Sequence, residues 1–150
     1  MDSFINILIV DDDKDDAAFL TEGISNIISS FRVFTATNGS ECLGFLLENE
    51  PPELIFMDLN MPKLNGFNCL KALKADPYLK DTHIVIFSTS SDLQHIEESY
   101  LLGAKYYIVK PVTLGAMTNM LEQMFKGLGR PSAESSDRKK FHIKERKKQL

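Results

Sequence analysis

The chain has 150 residues, of which 43% are hydrophobic and 25% are charged, values ordinary for one globular domain with its own core. This composition excludes a fibrous, a disulfide-stapled or a wholly disordered chain. The net charge of −4 is unevenly spread, because residues 1–126 carry 9 Lys+Arg against 18 Asp+Glu and residues 127–150 carry 8 against 3. We therefore expect an acidic folded body followed by a basic tail.

The chain shows no feature of a membrane or exported protein. No apolar run approaches the roughly 20 residues that a membrane helix needs, and the N-terminus lacks the basic and apolar regions of a signal peptide. Cys42 and Cys69 have no metal-ligand spacing and fit ordinary helix packing in a reducing compartment. The sequence predicts a cytoplasmic protein without a membrane partner.

Short apolar runs alternate with longer amphipathic stretches, which is the pattern of a parallel sheet covered by helices. In chain order the predicted strands are 5–10, 32–36, 54–57, 83–87 and 105–109, and the predicted helices are 15–29, 41–48, 67–75, 92–102 and 113–126. Asn38 and Thr113 are expected helix caps, and Gly103 is expected just after the fourth helix. Five such units with right-handed crossovers predict an α/β fold with a doubly wound, five-stranded parallel sheet and five helices.

Polar residues follow four of the predicted strands: Asp11 to Asp13, then Asp58, Ser88 and Lys110. Because the carboxyl ends of parallel strands meet at one edge of a sheet, we expect these residues to gather there. Neighbouring carboxylates repel each other unless a cation lies among them, and hard oxygen ligands suit Mg²⁺ better than zinc. A lysine and a hydroxyl opposite the cation would complete a pocket for a phosphoryl group.

This arrangement resembles the receiver domain of response regulators, the CheY-like family, over about residues 4–126. The resemblance is carried by Ile-Leu-Ile-Val-Asp-Asp-Asp at 7–13, Phe-Met-Asp-Leu-Asn-Met-Pro-Lys-Leu-Asn-Gly at 56–66, Phe-Ser-Thr-Ser at 87–90 and Gly-Ala-Lys-Tyr-Tyr-Ile-Val-Lys-Pro at 103–111. It implies a flavodoxin-like strand order 2-1-3-4-5 and a receiver domain at 4–126. Residues 127–150 are then a flexible linker and a basic C-terminal tail, too short for a DNA-binding domain, as in the stand-alone single-domain type.

The resemblance also implies a Mg²⁺ site. Asp12 would bind the cation directly and Asp11 through a water. Asp58 and the backbone carbonyl of Asn60 would complete the set. Asp13, Asp15 and Asp16 continue the acidic run, and we interpret them as residues that begin the first helix.

The catalytic roles come from the same resemblance. Asp58 would be the phosphoacceptor, with the hydroxyl of Ser88 and the ammonium of Lys110 contacting the phosphoryl group. Ser88 and Tyr107 would form the switch, since Tyr107 can fill the space that Ser88 leaves when it moves. The peptide bond before Pro111 is expected to be cis, as in the family.

The expected partners are a sensor histidine kinase or phosphotransfer protein and an unknown downstream protein. Phosphorylation would change the surface formed by helix 4, strand 5 and helix 5, which also allows a homodimer. Such a domain is not an enzyme with a metabolite substrate, because it catalyses only its own phosphorylation and dephosphorylation.

Two alternatives accompany this interpretation. The Asp-x-Asp at 11–13 also occurs in phosphatases of the haloacid dehalogenase type, but the second acidic motif of that family is missing after Lys110. A degenerate receiver, which binds proteins without being phosphorylated, remains the alternative function.

Overall fold

The computed structural model describes residues 4–61, 64–129 and 138–146, and a parallel sheet forms its centre. The strands are β1 (Ile5–Val10), β2 (Phe31–Ala36), β3 (Leu54–Met57), β4 (His83–Ser88), β5 (Tyr106–Val109) and β6 (His142–Ile143). The helices are α1 (Lys14–Ser25), α2 (Gly39–Glu48), α3 (Gly66–Lys74), α4 (Leu93–Leu101), α5 (Leu114–Leu128) and α6 (Arg138–Phe141), with a short 3-10 helix at Pro77–Leu79. None of the described helices combines the length and apolar character needed to cross a bilayer.

The sheet is buried on both faces, which explains why its central strands are mostly apolar. Ile7 and Ile9 of β1 face one apolar cluster, which includes residues of α1 and α5. Leu8 and Val10 face the other cluster, which includes residues of α2, α3 and α4. Successive side chains of a strand point to opposite faces, so two helical layers cover a single sheet.

The strand order is β2-β1-β3-β4-β5-β6, and this confirms the predicted doubly wound α/β fold and the order 2-1-3-4-5. The predicted caps Asn38 and Thr113 each accept a hydrogen bond from a backbone N–H of the helix that follows. Gly103 adopts a φ of +97° just after α4, a conformation that favours glycine. The helix α1 ends at Ser25 instead of residue 29, because the chain turns there to enter β2 while Ile27 and Ile28 still pack on the apolar core.

A sixth strand and a sixth helix were not predicted. Both lie in the segment that the sequence indicates to be a flexible linker and tail, where β6 pairs in parallel with β5. Phe141 and Ile143 explain why this segment packs on the sheet, because Phe141 is buried in one apolar cluster and Ile143 in the other. Residues 138–146 are therefore packed on the domain. For residues 130–137 and 147–150, which lie outside the described residues, the linker and tail stay a prediction.

Candidate functional site

Acidic side chains gather at the carboxyl ends of β1 and β3. Carboxylate oxygens of Asp11, Asp12 and Asp58 lie within 4.8 Å of one another. The backbone N–H of Asp58 donates to the carbonyl of Val10 at 3.0 Å, which fixes the ends of the two strands side by side. Asp11 and Asp58 are buried, and Asp12 is exposed to solvent. The predicted grouping of these three residues is thus found, with one carboxylate open to an incoming ligand.

Lys110 places its ammonium group among these carboxylates. Its Nζ lies 2.8 Å from Oδ2 of Asp11, 2.8 Å from Oδ2 of Asp16 and 3.2 Å from Oδ2 of Asp58. Burial opposes the charge of the ammonium, but the contacts with Asp11 and Asp16 and the charge of Asp58 outweigh it and raise the pKa of Lys110. The lysine therefore stays positively charged beside Asp58.

Asp11 has an oxygen that no described group satisfies by hydrogen bonding. Its Oδ1 accepts from the backbone N–H of Asp13 at 2.9 Å. Its Oδ2 is buried and, among the described residues, has no partner at hydrogen-bond angles, although Lys110 Nζ is only 2.8 Å away. We regard that contact as an ion pair without a directed hydrogen bond. Burial raises the pKa of Asp11, and the opposing effect of Lys110 does not cancel it.

These features fit a hard divalent cation. One ammonium faces the carboxylates of Asp11, Asp12 and Asp58, so negative charge remains in excess. Asp11 Oδ2 is buried and has only the Lys110 ammonium as a partner among the described residues, so it can accept a further cation. Oxygen ligands with an open, solvent-facing side are those that Mg²⁺ prefers.

The loop after β3 shapes the entrance to the cluster. The backbone N–H of Asn60 donates to Oδ1 of Asp58 at 3.3 Å, while the Asn60 residue itself is exposed. Gly66 packs against this loop so closely that a Cβ would lie 2.4 Å from the carbonyl oxygen of Asp58. Pro62 and Lys63 lie outside the described residues.

A cleft of about 500 Å³ opens beside the acidic cluster. It is lined by Asp12, Leu59, Asn60, Met61, Asn65, Phe67 and His95. A larger cleft of about 810 Å³ lies between α5 and β6 and has no residue of the acidic cluster in its lining. The chemistry of the carboxylates therefore selects the smaller cleft as the ligand entrance.

Ser88 and Tyr107 are both fully buried, and Ser90 links them. The backbone N–H of Ser90 donates to Oγ of Ser88 at 3.3 Å, and the Tyr107 hydroxyl donates to the Ser90 carbonyl at 2.7 Å. Burial raises the pKa of the Tyr107 hydroxyl. Tyr107 belongs to the apolar cluster on one face of the sheet, and Tyr106 belongs to the cluster on the other face. The predicted switch pair, Ser88 and Tyr107, therefore consists of neighbouring residues that Ser90 joins.

Two features differ from the sequence interpretation. Asp13 caps α1 and accepts from the N–H groups of Asp15 and Asp16, as expected for residues that begin a helix. However, Asp16 also binds Lys110, a role that the sequence interpretation missed. The expected cis bond before Pro111 is wrong, because the described residues contain no cis peptide.

His95 is a further residue near the site. Its Nδ1 lies 2.7 Å from Oγ of Ser90, and its ring packs edge-on against Phe67 at 5.5 Å between centroids. The three histidines of the sequence, His83, His95 and His142, have no metal-ligand spacing, which predicts locally bonded side chains. The contact with Ser90 agrees with that.

Comparison with known proteins places the chain in a family. The response regulator receiver domain family matches residues 7–122. The transcriptional regulatory protein PrrA of Mycobacterium bovis is 33% identical over 131 residues, 87% of this chain and 54% of PrrA. The probable chemotaxis protein CheY of Rhizobium etli is 27% identical over 124 residues, 83% of this chain and 95% of CheY.

A solved structure agrees with these sequence matches. The phosphorylated cyanobacterial phytochrome response regulator RcpA has a TM-score of 0.69 at 31% identity, covering 84% of this chain and 89% of RcpA. The chain spans about half the length of the PrrA relatives that it matches. With the family match over most of its length, the chain is a member of the response regulator receiver domain family, a family of signalling domains.

Proposed function

We propose that the chain is a phosphoacceptor in a two-component phosphorelay. Asp58 takes a phosphoryl group from a phosphohistidine of a sensor histidine kinase or phosphotransfer protein in a Mg²⁺-dependent reaction. One observation carries the proposal: the Asp58 carboxylate lies 3.2 Å from Lys110 Nζ and shares its end of the sheet with Asp11 and Asp12. The likeness to RcpA, whose structure is of a phosphorylated protein, supports it.

The residues that would hold Mg²⁺ are the carboxylates of Asp11, Asp12 and Asp58 and the backbone carbonyl of Asn60. When bound, Mg²⁺ supplies positive charge that offsets the repulsion between Asp58 and the phosphoryl oxygens. Lys110 adds a fixed positive charge on the side of Asp58 that the protein buries. Charges fixed in advance stabilise a transition state without further reorganisation.

The transfer needs no other cofactor. A carboxylate oxygen of Asp58 attacks the phosphorus of the phosphohistidine, and an O–P bond forms as the N–P bond breaks. The bonding pair returns to the imidazole nitrogen, and Asp58 becomes an acyl phosphate. The Ser88 hydroxyl donates to a phosphoryl oxygen and Lys110 neutralises another. Water later attacks the phosphorus, which releases inorganic phosphate and restores the carboxylate.

The signal is a change in binding surface. Movement of Ser88 toward the phosphoryl group acts on Ser90 and Tyr107, because hydrogen bonds of 3.3 Å and 2.7 Å join the three residues. The surface of α4, β5 and α5 then shifts its population of conformations and binds an as yet unidentified downstream protein or a second copy of the chain. Since phosphohistidine donors are made from ATP, the proposal places this exchange in the cytoplasm.

The test is intact mass after incubation with acetyl phosphate, with Mg²⁺ or with a chelator. Asp58→Asn removes the nucleophile, and Asp15→Asn is the matched control because Asp15 lies outside the carboxylate cluster. We expect the wild type and Asp15→Asn to gain one phosphoryl group only with Mg²⁺, and Asp58→Asn to gain none. A wild type that gains none would favour the phosphorylation-independent binding module.

A further inference from the structure

Residues 138–146, named here the C-terminal segment, cover the edge of β5 that faces away from β4. Its strand β6 pairs in parallel with β5, with Tyr107 opposite His142 and Ile108 opposite Ile143. An uncovered strand edge offers unpaired N–H and C=O groups to any extended peptide. The chain's own C-terminal segment therefore occupies the edge of β5 at which another peptide strand could pair.

An aromatic side chain anchors the segment. Phe141 is only 2% exposed, and its ring centroid lies 5.2 Å from that of Tyr100 and 6.4 Å from that of Tyr107. Arg138 stacks over the Tyr100 ring at 4.8 Å and pairs with Glu97 at 2.8 Å. The notch between Tyr100 and Tyr107 therefore receives an aromatic ring preceded by a cation.

The other end of the segment is fastened to α5. Gln123 Nε2 donates to the carbonyl of Lys144 at 2.8 Å, and the N–H of Arg146 donates to Oδ1 of Asn119 at 2.8 Å. Together with the contacts above, the segment touches α4, β5 and α5. The docked segment is therefore itself part of the surface on which the proposed signal depends, and a partner would meet the segment together with α4 and α5.

The docked segment also restrains Tyr107. The His142 ring lies 6.0 Å from the Tyr107 ring, and with Phe141 it covers the outer side of Tyr107, which is fully buried. On the inner side the hydroxyl donates to the Ser90 carbonyl. A Tyr107 ring turned outward would meet Phe141 and His142, so docking of the segment favours the buried orientation.

We infer that the β5 edge and the notch between Tyr100 and Tyr107 form a docking surface for a short helical turn with an aromatic anchor followed by a strand, and that the chain's own C-terminal segment occupies it in a manner coupled to Asp58. Phosphorylation of Asp58 moves Ser88 toward the phosphoryl group and keeps the Tyr107 ring buried. The docked segment requires this buried orientation of Tyr107. Docking and phosphorylation therefore favour each other, and the coupling is reciprocal. The coupling, although not the docking, rests on the proposed function.

Hydrogen–deuterium exchange of the unphosphorylated 150-residue chain tests the docking. Arg138→Ala and Phe141→Ala are compared with Lys140→Ala, a matched control because Lys140 is an exposed residue of the same segment. We expect exchange in 138–146 and in β5 to accelerate about fivefold or more in the first two variants, with Lys140→Ala unchanged. Because Arg138→Ala removes only a surface contact, this variant should stay folded. It therefore keeps the test decisive even if Phe141→Ala does not fold. Equal exchange in all variants would overturn the docking.

The same measurement at several protein concentrations identifies the occupant. Protection that does not change with concentration is expected for a segment docked on its own chain. Protection that falls on dilution would place the segment on a second copy and overturn the intramolecular assignment.

The coupling is tested on the wild type with and without acetyl phosphate and Mg²⁺, with intact mass recorded on the same samples. We expect exchange in 138–146 to slow about fivefold or more in the phosphorylated form. Equal or faster exchange in protein that carries the phosphoryl group would overturn the coupling. Absence of any phosphoryl gain would overturn the proposed function and the coupling with it, while the variants above still decide the docking.

Discussion

The ammonium nitrogen of Lys110 lies 2.8 Å from Oδ2 of Asp16, which is closer than its distance of 3.2 Å from Oδ2 of Asp58. Asp16 belongs to the first turn of α1 and is partly exposed, whereas Lys110 and Asp58 are buried. The lysine that should serve the phosphoryl group is thus shared with a carboxylate outside the proposed metal set. In the proposed mechanism, Asp16 would therefore compete with the phosphoryl group for this charge.

Asp16→Asn should increase the rate of phosphorylation by acetyl phosphate. With this competitor removed, the charge of Lys110 is directed to Asp58 and the phosphoryl oxygens. An ion pair with a partly exposed partner is worth up to about 1 kcal/mol, so we expect an increase of about two- to fivefold. Time courses of intact mass measure the rate. Asp15→Asn is the control, and an equal increase in both variants would point to net charge instead of the Lys110 contact.

Lys110→Met should destabilise the protein in the absence of Mg²⁺. The change leaves the buried carboxylates of Asp11 and Asp58 without the ammonium that lies between them. Loss of one partner of a buried ion pair costs about 3 kcal/mol. Urea unfolding in the presence of a chelator measures the decrease in the free energy of unfolding, and Mg²⁺ should restore part of that free energy. Lys71→Met, at an exposed position of α3, should change the free energy of unfolding little. Equal loss with and without Mg²⁺ would argue against a cation at this cluster.

Gly66→Ala should lower both stability and phosphorylation. The new Cβ would lie 2.4 Å from the Asp58 carbonyl oxygen and 2.7 Å from Cα of Leu59, so the backbone that carries the phosphoacceptor must shift. Overpacking of this kind costs about 1–3 kcal/mol. Gly44→Ala is the control, because its Cβ would meet nothing within 4 Å and alanine favours a helix interior by about 1 kcal/mol. The account would be contradicted if Gly66→Ala matched the control in urea unfolding.

His83→Gln should make the protein less sensitive to mild acid. Burial lowers the pKa of His83 below its ordinary 6.5, the charges of Lys105 and Lys74 lower it further, and Asp81 opposes them. The unfolded chain therefore binds a proton at a pH where the folded chain does not, and stability falls as the pH drops from about 6.5 through the lower folded pKa. Urea unfolding between about pH 7.5 and about pH 5.5 compares the two proteins. If the free energy of unfolding fell equally with pH in both proteins, the acid sensitivity could not be assigned to His83.

The fold was largely predictable because its central strands are short and mostly apolar runs. The bounds of β1 and β3 agree with the sequence prediction, since each run ends abruptly at Asp11 and Asp58. The site followed from topology, because the ends of parallel strands meet at one edge. Thus Asp11, Asp58, Ser88 and Lys110 could be grouped before any distance was known.

Other features depend on tertiary contacts that no local pattern reveals. Asp16 is one of five acids between positions 11 and 16, and composition does not show which of them faces Lys110. β6 has two residues, fewer than any periodicity needs, and it exists because Phe141 and Ile143 find apolar space at the edge of β5. The residues around Phe141 are mostly basic, which favours a tail over a packed segment in a prediction from sequence.

The most direct test of the central claim is to locate the phosphoryl group by borohydride trapping. Borohydride reduces an aspartyl phosphate to homoserine, and peptide mass spectrometry then identifies the position that changed. After incubation with acetyl phosphate and Mg²⁺, we predict homoserine at Asp58 alone, and none when a chelator replaces Mg²⁺. Homoserine at Asp11, Asp12 or Asp13, or an unmodified Asp58 in protein that has gained phosphoryl mass, would contradict the account.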